Sequence, residues 1–202
     1  MLWNKIQGAG GVGGTLTYDV LAGPPANNSF SVGYPSDIQA GDLLVVRGTV
    51  AGAVTPTVPG WDNTNAAPYY LFAYKTAVGS ETGTVQISSG ANVYAVMIRF
   101  RNNRNLPFSA GNPIETGEYA SSSTVTLSPP TGVSPTYFAN ILGWAQPGSF
   151  TTTNYPAFSS PIVRTSYLFF TFVDTQFLKK EGDTVSVSTN SSVSWRSFSI
   201  YH

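Results

Sequence analysis

The chain has 202 residues, of which 42% are hydrophobic and 10% charged, with ten basic residues balanced by ten acidic ones. That apolar content excludes wholesale disorder and supports one full-sized core or two small ones. Zero net charge excludes a global pull toward nucleic acid or an anionic membrane, and the absence of cysteine excludes a disulfide framework or a thiolate metal site.

The chain begins "MLWNKIQGAG", which lacks the apolar run of a signal peptide, and no stretch approaches the roughly 20 apolar residues of a membrane span. Within "QGAGGVGG" (7–14), Gly8, Gly10, Gly11 and Gly13 satisfy the G-x-G-x-x-G pattern of dinucleotide loops. Such a loop needs a helix after it, whose N-terminal N–H groups hold the pyrophosphate. The next residues, "TLTYDV" (15–20), have an alternating strand pattern, so no cofactor is expected. Residues 1–14 are instead expected to be an assembly arm: Trp3 and Ile6 as its apolar contacts, and Gly8, Gly10, Gly11, Gly13 and Gly14 as its freely rotating hinge.

Further along, "TVQIS" (84–88), "STVTL" (123–127) and "TVSVS" (184–188) alternate with period two. "DLLVV" (42–46), "YYLFAYK" (69–75), "VYAVMIRF" (93–100), "YFANILGW" (137–144) and "SYLFFTFV" (166–173) are apolar on both faces. Such strands lie centrally, or their second face meets another subunit. Only "TQFLKKEG" (175–182) fits a helical turn, and 102–122 reads as a crossover whose Leu106, Phe108 and Ile114 pack on the body.

An internal repeat is visible. "SVGYPSDIQAGDLLVV" (31–46) lies over "TLSPPTGVSPTYFANI" (126–141) at an offset of 95, and residues 81–100 lie over 181–200 at an offset of 100. Between them "YYLFAYK" matches "YLFFTFV" at an offset of 98, so the extra residues fall in loops. The prediction is all-β: a jelly-roll-like β-sandwich built from an internal duplication, with a glycine-rich N-terminal arm. Residues 15–202 then form a single domain of two repeats, about 28–101 and 123–202. Two tandem sandwiches, one per repeat, are the alternative.

Catalytic constellations are poor. The single histidine is His202, so a Ser–His–Asp site has no base and zinc has no ligand set. Carboxylate pairs are available, but Glu81 and Glu181 occupy equivalent positions of the repeat, which points to turn chemistry. No enzyme activity and no metal are expected; "WDNTNA" (61–66) lacks calcium-loop spacing. Arg99, Arg101 and Arg104 in "RFRNNRN" form the one basic cluster, an interface candidate rather than a nucleic-acid site. Trp61, Asp62, Asn63 and Asn65 in one loop, with Asn154 and Tyr155 in the equivalent loop, combine an aromatic face with amides and carboxylates. That is the chemistry of glycan recognition, although Trp61 would equally serve as a plug closing the end of the core.

One set of spacings carries a resemblance. Pro35 followed by Gly41-Asp42-Leu43-Leu44-Val45, then Pro59-Gly60-Trp61, Tyr74-Lys75-x-Ala77, Glu81-x-Gly83 and Arg99-Phe100-Arg101 resembles a family of tailed-bacteriophage virion proteins. The matching residues span Pro35 to Arg101; the second copy departs, with Tyr137 where Asp42 stands. The resemblance implies a β-sandwich on the tail, baseplate or capsid exterior of a particle. Its partners would be other virion proteins and copies of itself, with a host surface glycan as the alternative ligand. It identifies no functional residue, and neither nucleic acid nor membrane insertion is expected.

Overall fold

In chain order the strands are β1 (Asn4–Ile6), β2 (Tyr18–Ala22), β3 (Ser29–Gly33), β4 (Leu43–Val50), β5 (Tyr70–Thr76), β6 (Thr84–Ser88) and β7 (Val93–Phe100). They continue as β8 (Ser109–Tyr119), β9 (Thr124–Leu127), β10 (Phe138–Trp144), β11 (Phe150–Thr152), β12 (Ile162–Arg164), β13 (Phe169–Asp174), β14 (Val185–Thr189) and β15 (Val193–Tyr201). The structure, a computed structural model, describes these strands together with residues 34–42, 52–63, 68, 77–83, 89–92 and 101, and gives side-chain detail between residues 31 and 101. Among the described residues every strand pairing is antiparallel and there is no helix, so none long and apolar enough to cross a membrane.

The chain divides into two compact units, Met1–Phe108 and Ser109–His202. In the first, a five-stranded sheet runs β1-β2-β7-β4-β5 and a two-stranded sheet pairs β3 with β6. Alternation sets which side chains go inward. In β6, Val85 and Ile87 are buried while Thr84, Gln86 and Ser88 face water. Leu44, Val46 and Val50 of β4, Leu71 and Ala73 of β5, and Val93, Ala95 and Met97 of β7 join Val32, Val85 and Ile87 in one cluster. The large and small sheets therefore share a core, each larger apolar side chain contributing roughly 1.5–3 kcal/mol by its burial.

The other face of the large sheet is also buried, through Leu43, Val45, Phe72, Val96, Ile98 and Phe100. For β4, β5 and β7 the second apolar face is thus buried, while the side chains of 137–144 and 166–173 lie outside the described residues. Arg47 lies on this face, fully buried; its Nη1 donates to the Gly48 and Leu71 carbonyls, and its guanidinium sits 5.5 Å from the Tyr70 ring centre.

The second unit has a large sheet ordered β12-β13-β10-β15-β8 and a small one ordered β11-β14-β9. Its run β8-β15-β10-β13 repeats the order β2-β7-β4-β5 of the first unit. The small sheets agree residue by residue. Val32 lies opposite Val85 and Leu127 opposite Val185, the positions superposed by the offsets 95 and 100. Trp144 stands directly across from Trp195 in the β10–β15 ladder.

Within the segment read as a crossover, Ser109–Tyr119 is instead an eleven-residue edge strand paired with β15. Its Gly, Pro and Asn content argued for a loop, yet an edge tolerates what a central strand does not. The ladder shifts between Ser197, which faces Glu115, and Ser199, which faces Gly111. Three residues, including Pro113, are thereby accommodated opposite one, and the missing proline N–H costs no ladder bond. The helical turn expected over 175–182 lies outside the described residues.

Candidate functional site

The residues that carry the family resemblance converge on one end of the first unit. The loop after β3 (residues 34–42) meets the loop after β5 (residues 77–83) through paired backbone bonds. Gly41 N–H donates to Ala77 O at 2.9 Å, Ala77 N–H to Asp42 O at 2.7 Å, and Tyr34 N–H to Gly83 O at 3.0 Å. Asp42 is buried, and its carboxylate caps the turn by accepting the Gln39 N–H at 3.1 Å.

The end of β7 clamps the same loop from the other side. Arg99, buried, donates through Nη1 to the Ser36 carbonyl. Burial, and secondarily the charge of Arg101, pull its guanidinium down to about 10, so it remains charged at neutral pH. Arg101 donates through Nη1 to the Asp37 carbonyl at 2.7 Å, lies 3.4 Å from the Asp37 carboxylate and 4.0 Å from that of Asp42. Asp37 takes a left-handed backbone conformation, φ 54°, which a short polar side chain tolerates better than most. Both described arginines of the basic cluster thus hold a loop of their own chain; Arg104 lies outside the described residues.

The loop after β5 is built around Glu81. Its Oε1 accepts the Val78 N–H and its Oε2 the Gly79 N–H, both at 2.9 Å, and Lys75 Nζ lies 3.0 Å away. Burial alone would raise this carboxyl, but the Val78 N–H, the Lys75 ammonium and further backbone donors outweigh it and hold it down at about 2. The turn role expected for Glu81 is the one it performs. A depressed carboxyl pKa adds stability that is complete above its ordinary 4.5 and is lost as pH falls toward 2. Melting temperature measured from pH 5 to pH 2 is therefore expected to fall less steeply in Glu81→Gln than in the wild type. Parallel curves would remove Glu81 from the acid response.

Trp61 is half-buried and packs against the core, with its ring centre 6.4 Å from that of Tyr34 and Lys75 Nζ 5.9 Å from its own. Asn63 does not reach outward. Its Oδ1 accepts the Val58 N–H at 2.7 Å, and its Nδ2 donates to the Val58 and Trp61 carbonyls at 2.9 and 2.8 Å. Asp62 pairs its backbone with Tyr74 in both directions at 3.0 Å. Burial first, then the hydrogen bond to the Asp62 carboxylate and its charge, push the Tyr74 hydroxyl up to about 12. The amide and carboxylate read as glycan ligands are thus engaged in holding their own loop, and the indole keeps a partly exposed edge. Asn65, Asn154 and Tyr155 lie outside the described residues.

Of the N-terminal arm, Asn4–Ile6 pairs with β2 of its own chain, Ile6 opposite Tyr18; Trp3, Gly8, Gly10, Gly11, Gly13 and Gly14 lie outside the described residues. Tyr34 and Asp37, which sequence reasoning did not single out, complete the loop end, and Asp42, Tyr74 and Lys75, which entered only through the resemblance, take structural roles there. The six-residue spacing of Lys75 and Glu81 across a Gly-containing turn is the signal that could have paired them. No family model, no curated protein and no solved structure matches the chain.

Proposed function

We propose that this chain is a structural β-sandwich subunit of a tailed-bacteriophage virion. Two copies of one jelly-roll-like unit would be displayed on the tail, baseplate or capsid exterior and bound to neighbouring subunits. The observation that carries this reading is the convergence of Pro35, Gly41, Asp42, Trp61, Lys75, Ala77, Glu81, Gly83, Arg99 and Arg101 on one interlocked end. Those are the residues through which the chain resembles virion proteins, and each described charge among them is engaged within the chain. Scaffold chemistry of this kind suits a subunit that must hold its shape in an assembly. The matching strand order and small-sheet register of the two units support the duplication.

Immunogold labelling of intact particles with antibody raised against the purified chain tests the proposal. Gold on a defined part of the particle is expected; particles free of gold in every preparation overturn it. The arm is a proposed assembly element, and its deletion (residues 1–14) is expected to reduce incorporation into particles.

A second reading, a host-glycan-binding module, draws on the partly exposed indole of Trp61. Adsorption to host cells left unchanged by Trp61→Ala would dispose of it.

A further inference from the structure

Sheet edges are the exposed liability of an antiparallel fold, because a row of free N–H and C=O groups will pair with any extended chain. In the first unit, the connection between β4 and β5 deals with two such edges at once. Thr57 exchanges both backbone bonds with Ser88, at 2.9 and 2.8 Å, on the outer edge of β6. Five residues later Asp62 exchanges both bonds with Tyr74, at 3.0 Å each, on the outer edge of β5. The segment therefore passes from the edge of the small sheet to the edge of the large one, and Val58 is fully buried between these two anchors. Asn63 locks this strap through its three bonds to Val58 and Trp61.

The second unit repeats the device with unrelated residues. The connection between β10 and β13 first lays β11 on the outer edge of β14, then lays β12 on the outer edge of β13. Thr151 faces Ser188 there, as Thr57 faces Ser88 in the first unit, and Ser88 and Ser188 are equivalent at the offset of 100. Two connections of different sequence that guard the same two edges point to the guarding itself as the shared requirement.

We propose that residues 57–63 form an edge guard latched by Asn63, and that the occupant it excludes is the matching edge of a second copy of this chain. Three features favour a second copy as that occupant. The edge of β5 is a seven-residue strand able to pair antiparallel with its own twin across a two-fold axis. A zero net charge opposes that approach only weakly. Both units lay the corresponding connection along these same two edges. Assembly through β5 and β6 is thereby switched off, leaving other surfaces to determine how subunits meet. This inference is independent of the virion reading, since it concerns the isolated chain.

The test uses the full chain in solution. Asn63→Ala is expected to strengthen self-association roughly tenfold or more relative to wild type, read by sedimentation velocity across a concentration series. Amide exchange is expected to lose protection at Thr57, Asp62, Tyr74 and Ser88 while β4 and β7 keep theirs. Val58→Ala, which leaves the latch intact, serves as the stability control. A Thr57→Cys/Ser88→Cys disulfide added to Asn63→Ala is expected to restore wild-type behaviour. Self-association unchanged in Asn63→Ala despite lost protection at those four amides overturns the proposal. So does equal self-association in Val58→Ala at a matched melting temperature, or association that the disulfide leaves untouched.

Discussion

Replacing Gly79 by alanine is expected to destabilise the first unit by about 2–4 kcal/mol, among the largest losses available from one methyl group. Two costs combine. The backbone sits at φ +87°, a conformation side chains resist, and an added Cβ would stand 2.9 Å from the Ala40 backbone nitrogen. That nitrogen belongs to the loop after β3, itself tied to the loop after β5 through Gly41 and Ala77, so it cannot move alone. Gly83 provides the control: at φ +75° it carries similar backbone strain, but nothing lies within 4 Å of an added Cβ. Urea denaturation of Gly79→Ala and Gly83→Ala should separate the two costs. Equal losses would mean that the close approach of the two loops carries no energy.

Asp42→Ala should cost about 2–3 kcal/mol, and Asp42→Asn roughly half as much. The Asp42 side chain is 1% exposed and accepts the Gln39 N–H, so alanine removes both a buried charge and the cap of the turn. Asparagine keeps an acceptor for that N–H and gives up the negative charge 4.0 Å from Arg101. Arg101 retains Asp37, which limits the electrostatic part of the loss. The difference between the two variants in denaturant midpoints therefore separates the turn cap from the charge. If asparagine proves as costly as alanine, the ion pair rather than the cap holds this loop.

These two positions illustrate a general property of the first unit. Its loops at this end are cross-linked by polar groups that a strand-based reading treats as solvent-facing. Glu81, Asp42 and Asn63 each resemble surface residues by type, and each instead satisfies backbone N–H groups that the turns leave without ladder partners. A carboxylate with such bonds, or an amide with three of them, is poorly placed to bind a ligand as well. The loop chemistry that suggested recognition is largely the chemistry of loop construction.

How much of this was legible beforehand depends on the range of the forces involved. Alternation and apolar runs are local, so Thr84–Ser88, from its alternation, and Val93–Phe100, from its continuous apolar run, could be bounded from sequence to the residue. Internal similarity needs only comparison of the chain with itself, and the offsets 95 and 100 reappear as the register of both small sheets. Segment 109–119 reads as a loop because Gly, Pro and Asn signal one by local preference, whereas β15 offers an edge and a ladder shift that absorbs them. The short strands β11 and β12, at three residues each, carry too little pattern to stand out.

The sequence by itself determined the all-β class, the strand faces and the order of the repeated segments, because period-two alternation and turn residues act within a few positions. Only the tertiary structure decided what the charged and aromatic residues do. Arg101 and Asp37 are 64 positions apart, and Thr57 meets Ser88 with the whole of β5 between them in the chain. Such pairings depend on which strands become neighbours, which no local pattern encodes. Trp61 illustrates the difference: its sequence neighbours suggested a ligand, and its spatial neighbours, Tyr34, Lys75 and the core, make it part of the wall.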